Sequence, residues 1–272
     1  MTSSALPQTQ FSTVEVDGHV MTVTLNRPEL RNALHGEANW ELGEVFDAFE
    51  RDPELWVAIV TGAGDRAFSA GADLRTPSSK DDPRAYNGMP VPETGFAGLV
   101  WRFNRRKPVI AAINGFALGG GFEAALACDV IVAADTASFG LTEPKVGLAA
   151  LGGGIQRIVQ ELGPKRAHAM LLTASKIDAA QAFDWGLVAE VVPPAELLAC
   201  ARRWADRIIE CSPASVIATK AVMQSYYDQG MEASNRGMFG LPEVRAMFSG
   251  PDAREGGRAF AEKRAPVWSN PQ

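Results

Sequence analysis

The sequence predicts a layered α/β core followed by a helical C-terminal region. Three observations carry that expectation. Apolar runs of strand length recur at 56–61, 108–113 and 130–133, set among segments of helical periodicity. Beyond about residue 195 the spacing of apolar residues turns largely helical. No run reaches the length of a membrane span, and no internal repeat is evident.

In chain order, residues 11–17 alternate in character, and Gly18-His19 turns the chain into Val20 to Leu25, where Met21, Val23 and Leu25 share one face. This predicts a hairpin, closed by Asn26-Arg27-Pro28. Over 32–49, Leu34, Leu42, Val45, Phe46 and Phe49 recur at helical spacing among acidic and polar residues. A buried strand at 56–61 closes at Gly62. The stretch 75–94 holds Pro77, Pro83, Pro90 and Pro92 with several charges, so it reads as a mobile loop or lid, followed by a helix at 96–103. The 108–113 strand ends at Asn114-Gly115, and a third strand runs over 130–133. Helices are expected at 196–210, 214–227, 242–248 and 254–264. The resulting division is a core domain at 1–194 and a helical region at 195–272.

A chain of 272 residues, 46% hydrophobic and 21% charged, has ample material for one core. With 26 basic against 32 acidic residues, its net charge of -6 provides no overall field for nucleic acid. Cys128, Cys200 and Cys211 are odd in number and far apart, which points to core thiols in a reducing, cytoplasmic setting rather than to disulfides or a metal site. The first ten residues carry neither a basic nor an apolar leader pattern, so no membrane association is expected. His19, His35 and His168 are scattered, and no Ser-His-Asp set is readable.

The chemistry concentrates around two glutamates in glycine-bearing segments. Glu123 closes Ala117-Leu118-Gly119-Gly120-Gly121-Phe122-Glu123, and Glu143 follows Phe139-Gly140-Leu141-Thr142. Three consecutive glycines are costly to order, so the bare backbone itself is the feature to explain. Gly119 to Ala124 formally satisfies a dinucleotide-binding G-x-G-x-x-A pattern, which keeps a nicotinamide-dependent oxidoreductase in view, although only six residues separate Gly121 from Cys128. The other reading takes the glycines as a helix start offering unpaired N–H groups to a carbonyl oxygen, with Gly120 as donor. Upstream, Ala67-Phe68-Ser69-Ala70-Gly71-Ala72-Asp73-Leu74 again places small residues after a strand, and Ala70 is the candidate for a second N–H.

These segments, with Leu25-Asn26-Arg27-Pro28, Asn32-Ala33-Leu34 and Asn114-Gly115-Phe116, resemble the enoyl-CoA hydratase/isomerase (crotonase) family. The resemblance continues through Cys128-Asp129, Gly152-Gly153-Gly154 with Gln156-Arg157, Gly186-Leu187-Val188 and Glu262-Lys263-Arg264, spanning nearly the whole chain in order. It implies a core of stacked ββα units, a C-terminal helical region that builds homotrimers or dimers of trimers, and an acyl-CoA substrate with no separate cofactor or metal. It puts the oxyanion donors at Ala70 and Gly120 and the acid-base pair at Glu123 and Glu143. Substrate contacts are implied at Phe68, Ala70, Gly71, Ala72, Asp73, Leu74, Gly120 and Leu151, with Arg27, Arg31 and Lys263 as candidate phosphate contacts. The 75–94 stretch and the 96–103 helix are expected to shape the acyl pocket.

The implied reaction is addition of water to a 2-enoyl-CoA, its enolate-like oxygen held by two main-chain N–H groups. Two close carboxylates in a poorly solvated pocket are expected to push at least one pKa upward. One departure stands out: Ala150-Leu151 occupies the place of a Pro-Gly pair after the second acid, and the Leu151 side chain is expected to narrow the water site. The alternatives within the fold are an isomerase or another acyl-CoA dehydratase or hydrolase. Outside it they are the oxidoreductase and a non-catalytic acyl-CoA- or RNA-binding protein.

Overall fold

The computed structural model describes residues 6–75 and 89–270. The expected hairpin forms as β1 (Ser12–Asp17) and β2 (Val20–Leu25), antiparallel, with Met21, Val23 and Leu25 all buried. Helix α1 (Gly36–Arg51) starts later than the apolar spacing suggests. Arg31 and Asn32 take left-handed backbone angles, and the His35 ring caps the helix by accepting from Ala38 N. Strand β3 (Val57–Gly62) is buried along its full length.

From β3 onward the chain winds through repeated turns that each give one strand to a large sheet and one to a small sheet. Strands β4 (Ala67–Ser69), β6 (Phe116–Leu118), β8 (Ser138–Gly140) and β9 (Ile177–Asp178) make the four-stranded sheet. Strands β5 (Val109–Ile113), β7 (Val130–Ala134) and β10 (Glu190–Val192) extend the hairpin and β3 into a six-stranded sheet in the order β1-β2-β3-β5-β7-β10. All pairings from β2 to β10 are parallel, as are β4–β6 and β6–β8. Parallel sheets need both faces covered, which accounts for the uninterrupted apolar runs of β3 and β5.

Helices α2 (Gly120–Leu126), α3 (Gly154–Thr173) and α4 (Ala179–Asp184) pack within the turns. After β10, the described chain contains no strand and carries α5 (Leu197–Ile209), α6 (Pro213–Gln229), α7 (Met231–Gly237), α8 (Pro242–Ser249) and α9 (Asp252–Glu262). Helix α5 is part of the core in physical terms. Its Leu197, Cys200, Ala201 and Ala205 are buried with Val57, Ile59, Ile110 and Val132 on the outer face of the large sheet.

Two expectations need correction or bounding. The 96–103 helix does not form: a single 3-10 turn, Phe96–Gly98, stands there. Gly95, Ala97 and Gly98 all have positive φ, and a Cβ on Gly98 would lie 2.6 Å from Gly43 N, so close seating on α1 replaces helical geometry. Of the proposed 75–94 loop, residues 76–88 lie outside the described residues. Its far end is packed, with Met89 buried and Pro92 against Gly43 of α1.

Candidate active site

Three adjacent parallel strands of the small sheet deliver the candidate groups at one edge. Residues 70–73 follow β4, Gly119-Gly120 follow β6 and Glu143 follows β8. The loop after β4 is braced from below. The buried Asn32 side chain donates to Ala63 O and Ala67 O and accepts from Arg27 N, and Ser69 Oγ donates to Asn32 O while accepting from Gly71 N. Gly71, at φ 88°, lies against the neighbouring turn so closely that a Cβ would sit 2.7 Å from Leu118 O and 2.9 Å from Gly120 N.

This geometry corrects one candidate donor. The Ala70 N–H is already given to Arg31 O at 2.9 Å, so it is not available to a ligand. Ala72 differs: Leu34 N bonds to Gly71 O and Asp73 N to Leu34 O, leaving the Ala72 N–H without a partner among the described residues. Gly120, the first residue of α2, likewise keeps a free N–H among the described residues, as the opening turn of a helix dictates. The pair of available donors is therefore Ala72 and Gly120.

Both glutamates are buried, Glu123 at 0% exposure and Glu143 at 6%. Glu123 Oε1 accepts the N–H of Gly154 at 2.9 Å, at the first turn of α3. Glu143 opens a 3-10 turn, Glu143–Val146, and neither of its carboxylate oxygens has a hydrogen-bond partner among the described residues. Its Oε1 would lie 3.4 Å from a Cβ on Gly119, beside the Gly120 donor. Burial pushes the Glu143 carboxyl up to about 7, and the charge of Glu123 adds to the rise. A buried carboxyl to which no other described residue donates is expensive in a purely structural role, and such groups mark sites where a ligand completes the bonding.

The remaining sequence candidates sort differently. Phe68 is fully buried in the main core and packs rather than binds. Arg27 is committed to the fold, donating to Ala33 O and to the Asp73 carboxylate. Asp73 also holds Arg75, and these two guanidinium groups, Arg75 first, keep its carboxyl far below the usual range. Leu74 is exposed, Lys263 ends α9 at the surface, and an open cleft of about 310 Å³ is lined by Arg31, Ala33, Ala72, Leu74 and Arg75. Leu151 points outward at 62% exposure, and the buried Ala150 instead stands beside Gly154, under Glu123. The dinucleotide reading fails on space: a Cβ on Gly121 would sit 2.3 Å from Ser69 O, so that glycine serves backbone packing, and α2 has only seven residues. Asn32 is legible in the sequence only as part of a family motif, although a buried amide in left-handed geometry is what the loop depends on.

The family profile described as enoyl-CoA hydratase/isomerase matches residues 15–271. The chain belongs to that family. Among similar proteins, the carnitinyl-CoA dehydratase of Escherichia coli (strain K12) is 42% identical over 254 residues, covering 93% of this chain and 95% of the relative. The crystal structure of an enoyl-CoA hydratase from Mycobacterium tuberculosis H37Rv superposes with a TM-score of 0.87 at 33% identity, covering 96% of this chain and 99% of that one. That of a carnitinyl-CoA hydratase from Mycobacterium avium gives 0.74 at 42% identity, with 96% and 99% covered. The crotonase fold, with its two sheets and C-terminal helical region, is thereby the fold of this chain. Among the described residues no group of His, Cys, Asp and Glu is arranged to hold a metal ion, and no helix is long and apolar enough to cross a membrane.

Proposed function

We propose that the protein interconverts a 2-enoyl-CoA and the corresponding 3-hydroxyacyl-CoA by adding or removing water. The observation that carries this reading is the buried Glu143 carboxyl, to which no other described residue donates, set beside the Gly120 N–H and next to a second buried acid, Glu123. In the hydration direction the thioester oxygen accepts from the N–H groups of Ala72 and Gly120. The Glu123 carboxylate takes a proton from water as its oxygen bonds to Cβ, and the alkene electron pair moves through Cα to the thioester oxygen. The neutral Glu143 carboxyl then gives its proton to Cα as the enolate collapses. Elimination runs the same steps backward.

The division of roles comes from the environments. The Gly154 N–H bonded to Glu123 Oε1 fixes that carboxyl in place, whereas burial favours the protonated form of Glu143. The reaction so written uses no cofactor beyond the CoA of the substrate. Arg31, on the cleft beside Ala72, is the candidate phosphate contact, Arg75 being paired with Asp73. The similarity to carnitinyl-CoA dehydratases favours a short acyl group bearing a quaternary ammonium as one substrate to test. Exposed apolar side chains on the helices, Phe260 at 87% and Leu172 at 80% among them, suit self-association, and membership of the family favours a homotrimer or a dimer of trimers as its form. The unpaired thiols suit a reducing cytoplasm.

The test is a panel of 2-enoyl-CoA and 3-hydroxyacyl-CoA thioesters, carnitinyl-CoA included, with loss or gain of the conjugated thioester absorbance as readout. Glu123→Gln and Glu143→Gln should each lower kcat by about 10²- to 10⁴-fold. Full turnover by either variant, or no hydration or dehydration across the panel, overturns the proposal.

A further inference from the structure

Arg157 stands on the first turn of α3, and its guanidinium folds back over the Gly152–Gly153 turn that starts the helix. Nη1 donates to Gly152 O at 3.1 Å, and Nη2 reaches Val100 O at 2.7 Å on the loop after the Phe96–Gly98 turn. Gly153 has φ 90°, and a Cβ there would lie 2.3 Å from Nη1, so the guanidinium rests directly on that residue. The next residue, Gly154, donates its N–H to Glu123 Oε1, and a Cβ on Gly154 would come within 2.8 Å of Glu123 Cγ and Oε1. An unbroken run of contacts thus leads from Val100 through Arg157 and the turn to Glu123.

We propose that Arg157 is a positioning residue for Glu123, locking the Gly152–Gly153 turn so that the Gly154 N–H stays fixed on the Glu123 carboxylate. A guanidinium suits this place because its planar fork spans two carbonyls that point from different segments, which one ammonium cannot match. Burial and the nearby Arg105 oppose the charge on Arg157, and Glu123 favours it. The Phe103 ring, 5.9 Å from the guanidinium carbon, covers the outer side. No substrate contact is required of Arg157; it acts through the glutamate.

This inference rests on Glu123 being an acid-base group, so the experiment crosses Arg157→Lys and Arg157→Met with Glu123→Gln and measures hydration of a 2-enoyl-CoA. In the wild-type background, Arg157→Lys should lower kcat by about 10-fold and Arg157→Met by about 10²-fold, with KM within roughly 3-fold. In the Glu123→Gln background the same substitutions should change the residual kcat by less than about twofold, because the group they position is gone. If Arg157→Met does not fold, Arg157→Lys carries the same criteria. Unchanged kcat in the Arg157 variants, a loss confined to KM, or full multiplication with Glu123→Gln overturns the positioning role while leaving the acid-base reading intact. Full activity of Glu123→Gln alone overturns that reading, and the inference with it.

Discussion

Replacing Glu143 by glutamine should change how stability depends on pH, and the direction is set by its surroundings. The folded chain holds the Glu143 proton until about pH 7, whereas an unfolded glutamate releases it near 4.5. Between those values the unfolded state binds fewer protons than the folded state, so wild-type stability falls as pH rises through that window and stays lowered above it. Each pH unit is worth about 1.4 kcal/mol, which makes the full cost on the order of 3 kcal/mol at pH 8. Glutamine is neutral throughout and nearly isosteric, so Glu143→Gln should match wild type near pH 4.5 and exceed it by up to about 3 kcal/mol at pH 8. Urea denaturation of both proteins across this range, at one protein concentration, measures the difference. Titrating groups remote from Glu143 are common to both proteins and cancel in the comparison. Parallel stability profiles for the two proteins would refute the claim that Glu143 is held protonated by burial.

The same carboxyl predicts that hydration fails on the alkaline side: its acid form is present below about pH 7 and is lost above, so kcat should decline through that value in a pH–rate profile. Gly71→Ala should separate the two donor segments, since its Cβ would meet Leu118 O at 2.7 Å and Gly120 N at 2.9 Å. A fall in kcat of at least about 10²-fold is expected in steady-state assays, with a folded and fully active variant as the contrary result. Gly154→Ala should push the Glu123 carboxylate out of its seat, lowering kcat by about 10²-fold while circular dichroism and the unfolding midpoint move little.

Much of the fold is readable from local pattern. The hairpin, β3, β5, β7 and the late helices show in alternation, apolar runs and helical spacing, because their burial depends on which residues line a face. The short strands β4, β6, β8 and β9, two or three residues each, are invisible to that reading, since so few residues carry no periodicity. The 96–103 segment misleads for a related reason: its apolar content reads as helix, while positive φ at Gly95 and Gly98 is set by contact with α1 across the sequence. At the site, Glu123, Glu143 and Gly120 are found through motif context. The motif points to Ala70 in place of Ala72 because a motif gives residue types, and only the hydrogen bond from Ala70 to Arg31 says which N–H is spent.

The twenty-residue interval between the two glutamates has a structural origin that joins these observations. In the small sheet, Leu118 of β6 lies opposite Gly140 of β8, an in-register parallel pair one winding of the chain apart. Parallel strands so aligned end at the same edge, roughly 4.8 Å apart. The segment leaving one strand therefore stands beside the segment leaving its neighbour. After β6 the chain opens a helix, which leaves the Gly120 N–H without a partner among the described residues and carries Glu123 one turn inward. After β8 it makes a tight 3-10 turn that buries Glu143 against Gly119. β4, on the other side of β6, ends in the Ser69–Ala72 loop, whose Gly71 must lack a side chain to lie against Gly120. The bare glycines and the acid pair are thus two consequences of one arrangement, in which strands aligned at their carboxyl ends converge on a small space. A one-residue insertion between β6 and Gly120 would keep both glutamates and every glycine yet move the donor off that edge, and activity should be lost with the fold retained.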